Sequence, residues 1–306
     1  MWLKYGVTQD NALVCIEDVP SGKTRLTCLY CGGELTAKKG KVKEHHFAHT
    51  EQTCRPVANR VTHRDFPSLP LYDNFNIQLS GQELEQLKVF WQNYGIRNEN
   101  IFVKPSLRLI LSKLLAWNEQ GFYEFTDLGK IPVGALSLGL FNEVQEPLLL
   151  DKLFNLQGAM ERARLINSRH SIERIADFRI YGAQLKRILE SALYFLKIRV
   201  GRKTLHKIGV TKRPIEERVI EVYRDLATHY KRIEIEVIDT WKHRGNVELY
   251  FKHRYKEFNY RIGKLTEYFN FDNVEAVLWD LRQMKPKVLE QAELGILEGK
   301  SFDRVV

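Results

Sequence analysis

Four cysteines, Cys15, Cys28, Cys31 and Cys54, fall within the first 54 residues of a 306-residue chain, and no other follows. That clustering suits a reduced compartment and a local metal site better than a disulfide framework. Cys28 and Cys31 stand two residues apart in "CLYCGGELTAKKGKVKEHHFAH", followed by a basic hairpin and then by His46 and His49. Zinc takes four N or S ligands at tetrahedral corners, and a two-residue gap lets a cysteine pair clasp one ion from a single tight knuckle. On this spacing Cys28, Cys31, His46 and His49 are the candidate zinc ligands, with His45 and Cys54 left open as alternatives for a histidine. Four protein ligands leave no open position, so this zinc is expected to be structural.

Around these ligands, the runs "WLKYGVT", "ALVCIEDV" and "RLTCLYC" alternate with turn signals at "TQDN", "PSGK" and "CGGE". This pattern predicts a small β-rich module over residues 1–56. A module of that size buries little and gains from a metal staple.

At 306 residues and 44% hydrophobic content, more than one domain is expected. The amino-terminal "MWLKYGVTQDN" lacks the apolar core that a signal peptide needs, and no apolar run is long enough to span a membrane. A cytoplasmic protein with no membrane partner is the resulting expectation. The net charge is +9, and it is concentrated. Residues 197–264 hold 18 Lys and Arg against 9 Asp and Glu, so the whole surplus lies in under a quarter of the chain. Such a segment points to a polyanionic partner.

The rest of the chain divides into a mainly helical middle region over 57–190, a basic domain over 191–285 and a tail over 286–306. In the middle region "SGQELEQLKVFWQNYG" predicts a helix with a capping box, Ser80 and Glu83. Its leucine and aromatic stripes read as core or as a docking surface for a protein partner. In the basic domain, strand-like runs at 192–198 and 205–211 are joined by a short turn. Pro214 opens a helix carrying Ile215, Val219, Val222 and Leu226 on one side, and "RIEIEVIDT" alternates as a third strand. A helix over 245–258 follows, with Glu248, Lys252, Tyr255 and Asn259 at steps of four, three and four on one face. The fold class is α+β, with a three-stranded antiparallel sheet flanked by helices in the basic domain.

Two resemblances follow from these motifs. The segment from "KYGVTQDNALVCIEDV" to "HFAH" resembles the zinc-binding amino-terminal region of competence-protein CoiA-like proteins. In that family the module precedes a nuclease of a different fold, whose carboxylate and lysine core has no counterpart placed in this chain. "LYFLKI" and "HKIGVT", with an Arg on the next helix and a Glu on a later one, resemble the GIY-YIG nuclease superfamily. The nearer match is its branch named for a phage T5 open reading frame, where "KIG" replaces "YIG", and "RIGKLTEYF" is similar to that branch's terminal signature.

Carried over by position, the resemblance implies Tyr194 for the first tyrosine, Lys207 for the second, Gly209 for the second glycine, Arg218 for the helix arginine and Glu248 for the metal-binding glutamate. The first motif departs from the pattern, with Ala192 and Leu193 in place of glycine and isoleucine. Lys207 in place of tyrosine leaves either Tyr194 or Lys207 as the base. The implied activity is phosphodiester hydrolysis in DNA, with RNA left open, using one Mg²⁺ or Mn²⁺ on Glu248. Gly209, Lys252, Tyr255 and Asn259 are the expected substrate-binding positions. The alternative is a nucleic-acid-binding or adaptor protein that keeps the nuclease fold without cutting.

Overall fold

The structure is a computed structural model that describes residues 3–40, 45–54, 56–57 and 79–299. The chain divides into two compact units: Met1–Ser68 with Asp151–Leu185 and Glu298–Val306, and Leu69–Leu150 with Lys186–Leu297. The 57–190 segment is thus shared between the units rather than forming a region of its own.

The first unit is built on a five-stranded antiparallel sheet of short strands: β1 (Tyr5–Val7), β2 (Leu13–Cys15), β3 (Gly22–Thr27), β4 (Glu34–Lys38) and β5 (His46–His49), in the order β2-β1-β3-β4-β5. Leu3, Tyr5, Ile16, Leu26, Leu35 and Phe47 are buried against one another, and Ala176 and Ile180 join this core from helix Ser171–Glu190. Tyr30 donates its hydroxyl to Asp177 Oδ1 at 3.2 Å, so a buried carboxylate also anchors the cysteine turn.

In the second unit, helix Gly81–Asn93 opens on the expected capping box. Ser80 Oγ accepts from Glu83 N at 3.2 Å, and Glu83 Oε2 accepts from Ser80 N at 2.7 Å. The segment is less helical than its leucine and aromatic stripes suggested, because β6 (Leu115–Trp117) and β7 (Tyr123–Phe125) form a hairpin within it.

The basic domain is a five-stranded antiparallel sheet: β8 (Ala192–Val200), β9 (Lys203–Thr211), β10 (Ile233–Trp241), β11 (Asn259–Ile262) and β12 (Leu265–Phe269), in the order β10-β8-β9-β12-β11. The three expected strands are present, but the sheet has five. "NYRIGKLTEYF" folds back as a hairpin at Gly263, whose φ of 55° favours glycine, and pairs with β9. Alternation along the central strands supplies two cores. Tyr194, Leu196, Ile198 and Leu205 pack with Val222 and Leu226 of helix Ile215–Ala227. Leu193, Phe195 and Ile208 pack with Val247, Tyr250 and Phe251 of helix Val247–Arg254 and with Val277 and Leu281 of helix Val274–Arg282. Burial on both faces explains why "ALYFLKI" reads as a continuous apolar run.

Candidate functional site

In the first unit, Cys28, Cys31, His49 and Cys54 bring four donor atoms within 4.8 Å of one another. The turn that starts the site is closed by backbone bonds from Gly32 N to Cys28 O and from Cys28 N to Gly33 O, both 2.8 Å. Gly32 takes a φ of 72°, which a side chain would resist, and Gly33 N points at Cys31 Sγ at 3.4 Å. Cys31 Sγ and His49 Nε2 lie 3.3 Å apart.

His46 does not belong to this group, which corrects the expected ligand set. "HFAH" is a strand rather than a helix, and strand side chains alternate, so residues three apart face opposite ways. His49 turns to the cysteines, His46 is buried elsewhere, and His45 Nδ1 engages the Glu17 carboxylate at 3.0 Å. Cys54, one of the two alternatives, completes the set.

A Cys₃His set suits structural zinc or a similarly soft divalent ion. Without a cation, burial pushes the Cys28 thiol up to about 12, raises Cys54 and lowers His49. His49 is thereby kept neutral, the form that binds metal, while the thiols ionise when a cation replaces their protons.

In the second unit, the basic domain holds Tyr194 and Arg218 in one hydrogen-bonded group and Lys207 and Glu248 in another, near enough for Glu248 and Glu267 to act electrostatically on Tyr194 and Arg218 on Lys207. Tyr194 pairs directly with Gly209 across β8 and β9. A Cβ at residue 209 would overlap the Tyr194 hydroxyl, so the glycine is the space that the phenol fills. Arg218, one turn into its helix, donates from Nε to Tyr194 Oη at 3.0 Å and from Nη1 to Glu221 Oε2 at 2.7 Å. Burial raises the Tyr194 pKa, and Arg218 offsets part of that rise.

Lys207 is 4% exposed, and its ammonium donates to Glu267 Oε2 at 2.6 Å. Glu267 Oε1 accepts from Lys252 Nζ at 2.7 Å, and Lys252 in turn lies 2.9 Å from Glu248 Oε1. Burial alone would raise the Glu267 carboxyl, but Lys207 and Lys252 outweigh it and hold its pKa at about 2. Burial also moves Lys207 below the usual lysine range, with Glu267 opposing. Glu267 sits inside "RIGKLTEYF", whose likeness to a terminal signature assigns it no role in the site. It arrives from β12, beside β9, and only the pairing of Tyr268 with Lys207 brings it there.

Two expected substrate-binding positions lie elsewhere. The helix bearing Glu248 ends at Arg254 rather than continuing to 258, which breaks the four-residue face after Lys252. Tyr255 donates its hydroxyl to Asp280 Oδ2 at 2.7 Å and packs against Phe251, 4.6 Å between ring centroids. Asn259 opens β11, where its Nδ2 donates to Thr266 O at 2.6 Å and Tyr268 O at 3.2 Å. Both hold the fold. His253 and Arg254 are likewise spent on backbone oxygens of Pro132 and Gly134.

Residues 16–56 match the family described as the competence protein CoiA, N-terminal domain. All four clustered donors lie inside that match. No curated protein and no solved structure shows a significant match to the chain. Among the described residues, no helix is long and apolar enough to cross a membrane.

Proposed function

We propose that this protein is a metal-dependent endonuclease acting on DNA, with the reaction centred on Tyr194, Lys207, Arg218 and Glu248 of a GIY-YIG-like domain and with a zinc-stapled module at the amino terminus. The observation that carries this reading is that those four side chains, from two strands and two helices, form two hydrogen-bonded groups close enough to influence one another electrostatically, with Tyr194 seated in the space left by Gly209. The local surplus of positive charge supports a polyanionic substrate.

Arg218 offers a planar, permanently charged guanidinium to a phosphate, and Tyr194 and Glu221 fix its direction. Burial affects the two candidate bases differently: Lys207 is shifted down toward neutrality and Tyr194 up, away from it. Lys207, an ammonium on Glu267, can accept a proton from the attacking water only after giving up its own, and Tyr194 only as a phenolate, so both stay candidates for the base. Glu248 is the carboxylate suited to hold one Mg²⁺ or Mn²⁺, an ion that would neutralise charge on the phosphoryl and leaving oxygens.

A second reading, nucleic-acid binding without cleavage, is favoured by one contact. The Lys252 ammonium already pairs with Glu248 Oε1 at 2.9 Å, and a divalent ion on this carboxylate would have to compete with it. Incubation with supercoiled plasmid and Mg²⁺ or Mn²⁺ separates the two. Cleavage that disappears in E248Q supports the nuclease, and cleavage unchanged in E248Q overturns this site. Salt-sensitive binding with no product in wild type, and none in K252M, supports the non-cutting protein.

A further inference from the structure

Helix Gly81–Asn93 and the β6–β7 hairpin border a groove of about 560 Å³, a volume typical of ligand sites. Three aromatic side chains, Trp91, Trp117 and Phe125, stand in a lining that is otherwise mostly polar. The Trp91 ring covers Gly95, where a Cβ would overlap it, and meets Phe125 edge-on at 5.1 Å between centroids. Trp117 meets Tyr123 edge-on at 4.6 Å, yet it is 62% exposed. Large exposed aromatic side chains at a concave surface mark contact sites more than scattered surface residues do.

Charge gives this groove a sign. Glu99, Glu119 and Glu124 line it against one lysine, Lys130, whose ammonium is tied to Asp127 at 2.9 Å. Glu99 is paired with Arg97 at 3.2 Å, whereas among the described residues Glu119 and Glu124 have no ion-pair partner. An acidic groove on a chain of net charge +9 selects against the polyanions that the rest of the molecule attracts.

The floor is set in advance. Asn118 Nδ2 donates to Asn100 Oδ1 at 2.8 Å, Asn100 Nδ2 donates to Gln120 Oε1 at 3.0 Å, and Asn118 Oδ1 accepts from Phe122 N at 3.0 Å. A floor with its own hydrogen bonds made spends little order on binding.

We propose that this groove docks a basic peptide segment of a partner protein, which presents an arginine to Trp91 and Trp117 and its charge to Glu119 and Glu124. A guanidinium is planar, stacks on an indole face and pairs with carboxylates, so one side chain uses both features of the groove. A phosphate-bearing strand could stack its bases there, but its backbone would meet three carboxylates. The proposal stands apart from the nuclease reading, since none of these residues belongs to the Tyr194 or Lys207 group.

Calorimetric titration of the full chain with a capped tetra-arginine peptide tests it, with capped tetraglutamate and a single-stranded oligonucleotide as comparisons. Trp117 is exposed and the glutamates become glutamines, so W117A and E119Q/E124Q keep the fold, as a thermal scan verifies. The expected result is binding of tetra-arginine alone at this groove, weakened about fivefold or more in W117A and weakened also in E119Q/E124Q. The proposal is overturned if tetra-arginine does not bind, or binds wild type and both variants equally. It is also overturned if the oligonucleotide is the ligand that W117A weakens.

Discussion

The two units each carry a five-stranded antiparallel sheet, yet they secure their key groups by different means. In the first, strands of three to six residues and the turns between them bring Cys28, Cys31, His49 and Cys54 together as a donor set that one cation could share. In the second, two strands of nine residues, packed on both faces, hold Tyr194 and Lys207, and the neighbouring five-residue β12 brings Glu267 to the lysine. A sheet of short strands stands to gain from a metal, whereas one of long strands can keep a lysine 4% exposed against the Glu267 carboxylate and the Tyr268 ring.

Metal removal gives the largest contrast. Structural zinc contributes on the order of 10–16 kcal/mol of apparent free energy in small zinc modules. A strong chelator is therefore expected to abolish the thermal transition of the first unit and leave that of the second in place. Scanning calorimetry, with elemental analysis for one metal per chain, reads both. Loss of the two transitions together would show that the division of labour is wrong, and survival of both would remove the metal from the account.

Next in size is Gly209→Ala. The added methyl meets the Tyr194 hydroxyl, and overpacking of this kind costs roughly 1–3 kcal/mol. The expected outcome is a lower denaturant midpoint for the second unit only, with cleavage lost if the proposed site is right. Unchanged stability would mean that Tyr194 and Gly209 do not share that space.

A smaller effect separates the charged network from its packing. Glu267 has a folded pKa of about 2 against 4.5 for the unfolded chain, so it adds stability above about pH 4.5 that is lost as pH falls toward 2. Its side chain is 40% exposed, so solvent screening keeps the effect modest. Unfolding measured across that window should fall less steeply in E267Q than in wild type. Identical slopes would mean that Lys207 and Lys252 do not hold Glu267 in solution.

The sequence made the order of elements in the basic domain legible because local signals agreed there: apolar runs for buried strands, a proline before a helix and an amphipathic pattern after it. Tyr194, Lys207, Arg218 and Glu248 could be named together only because their order along those elements resembles the GIY-YIG motifs. Glu267 lies in the "RIGKLTEYF" signature, but its role there could not be read, because its partner Lys207 is reached only through β12 pairing with β9 some sixty positions away. At the amino terminus the chemistry was legible and the geometry was not. "HFAH" has the spacing of a metal-binding turn or helix, but the neighbouring strand β4 draws it into a sheet, turns His46 away and leaves its place to Cys54.

The core of the first unit also sets a timetable. Its sheet and all four donors lie before residue 55, but Ala176 and Ile180, which complete that core, leave the ribosome roughly 120 residues later. At translation speeds of about 5–20 residues per second, the sheet waits on the order of ten seconds for its last apolar partners. During that interval the cysteines and His49 are already synthesised, so an ion captured early would shelter an unfinished sheet while the chain is still being made.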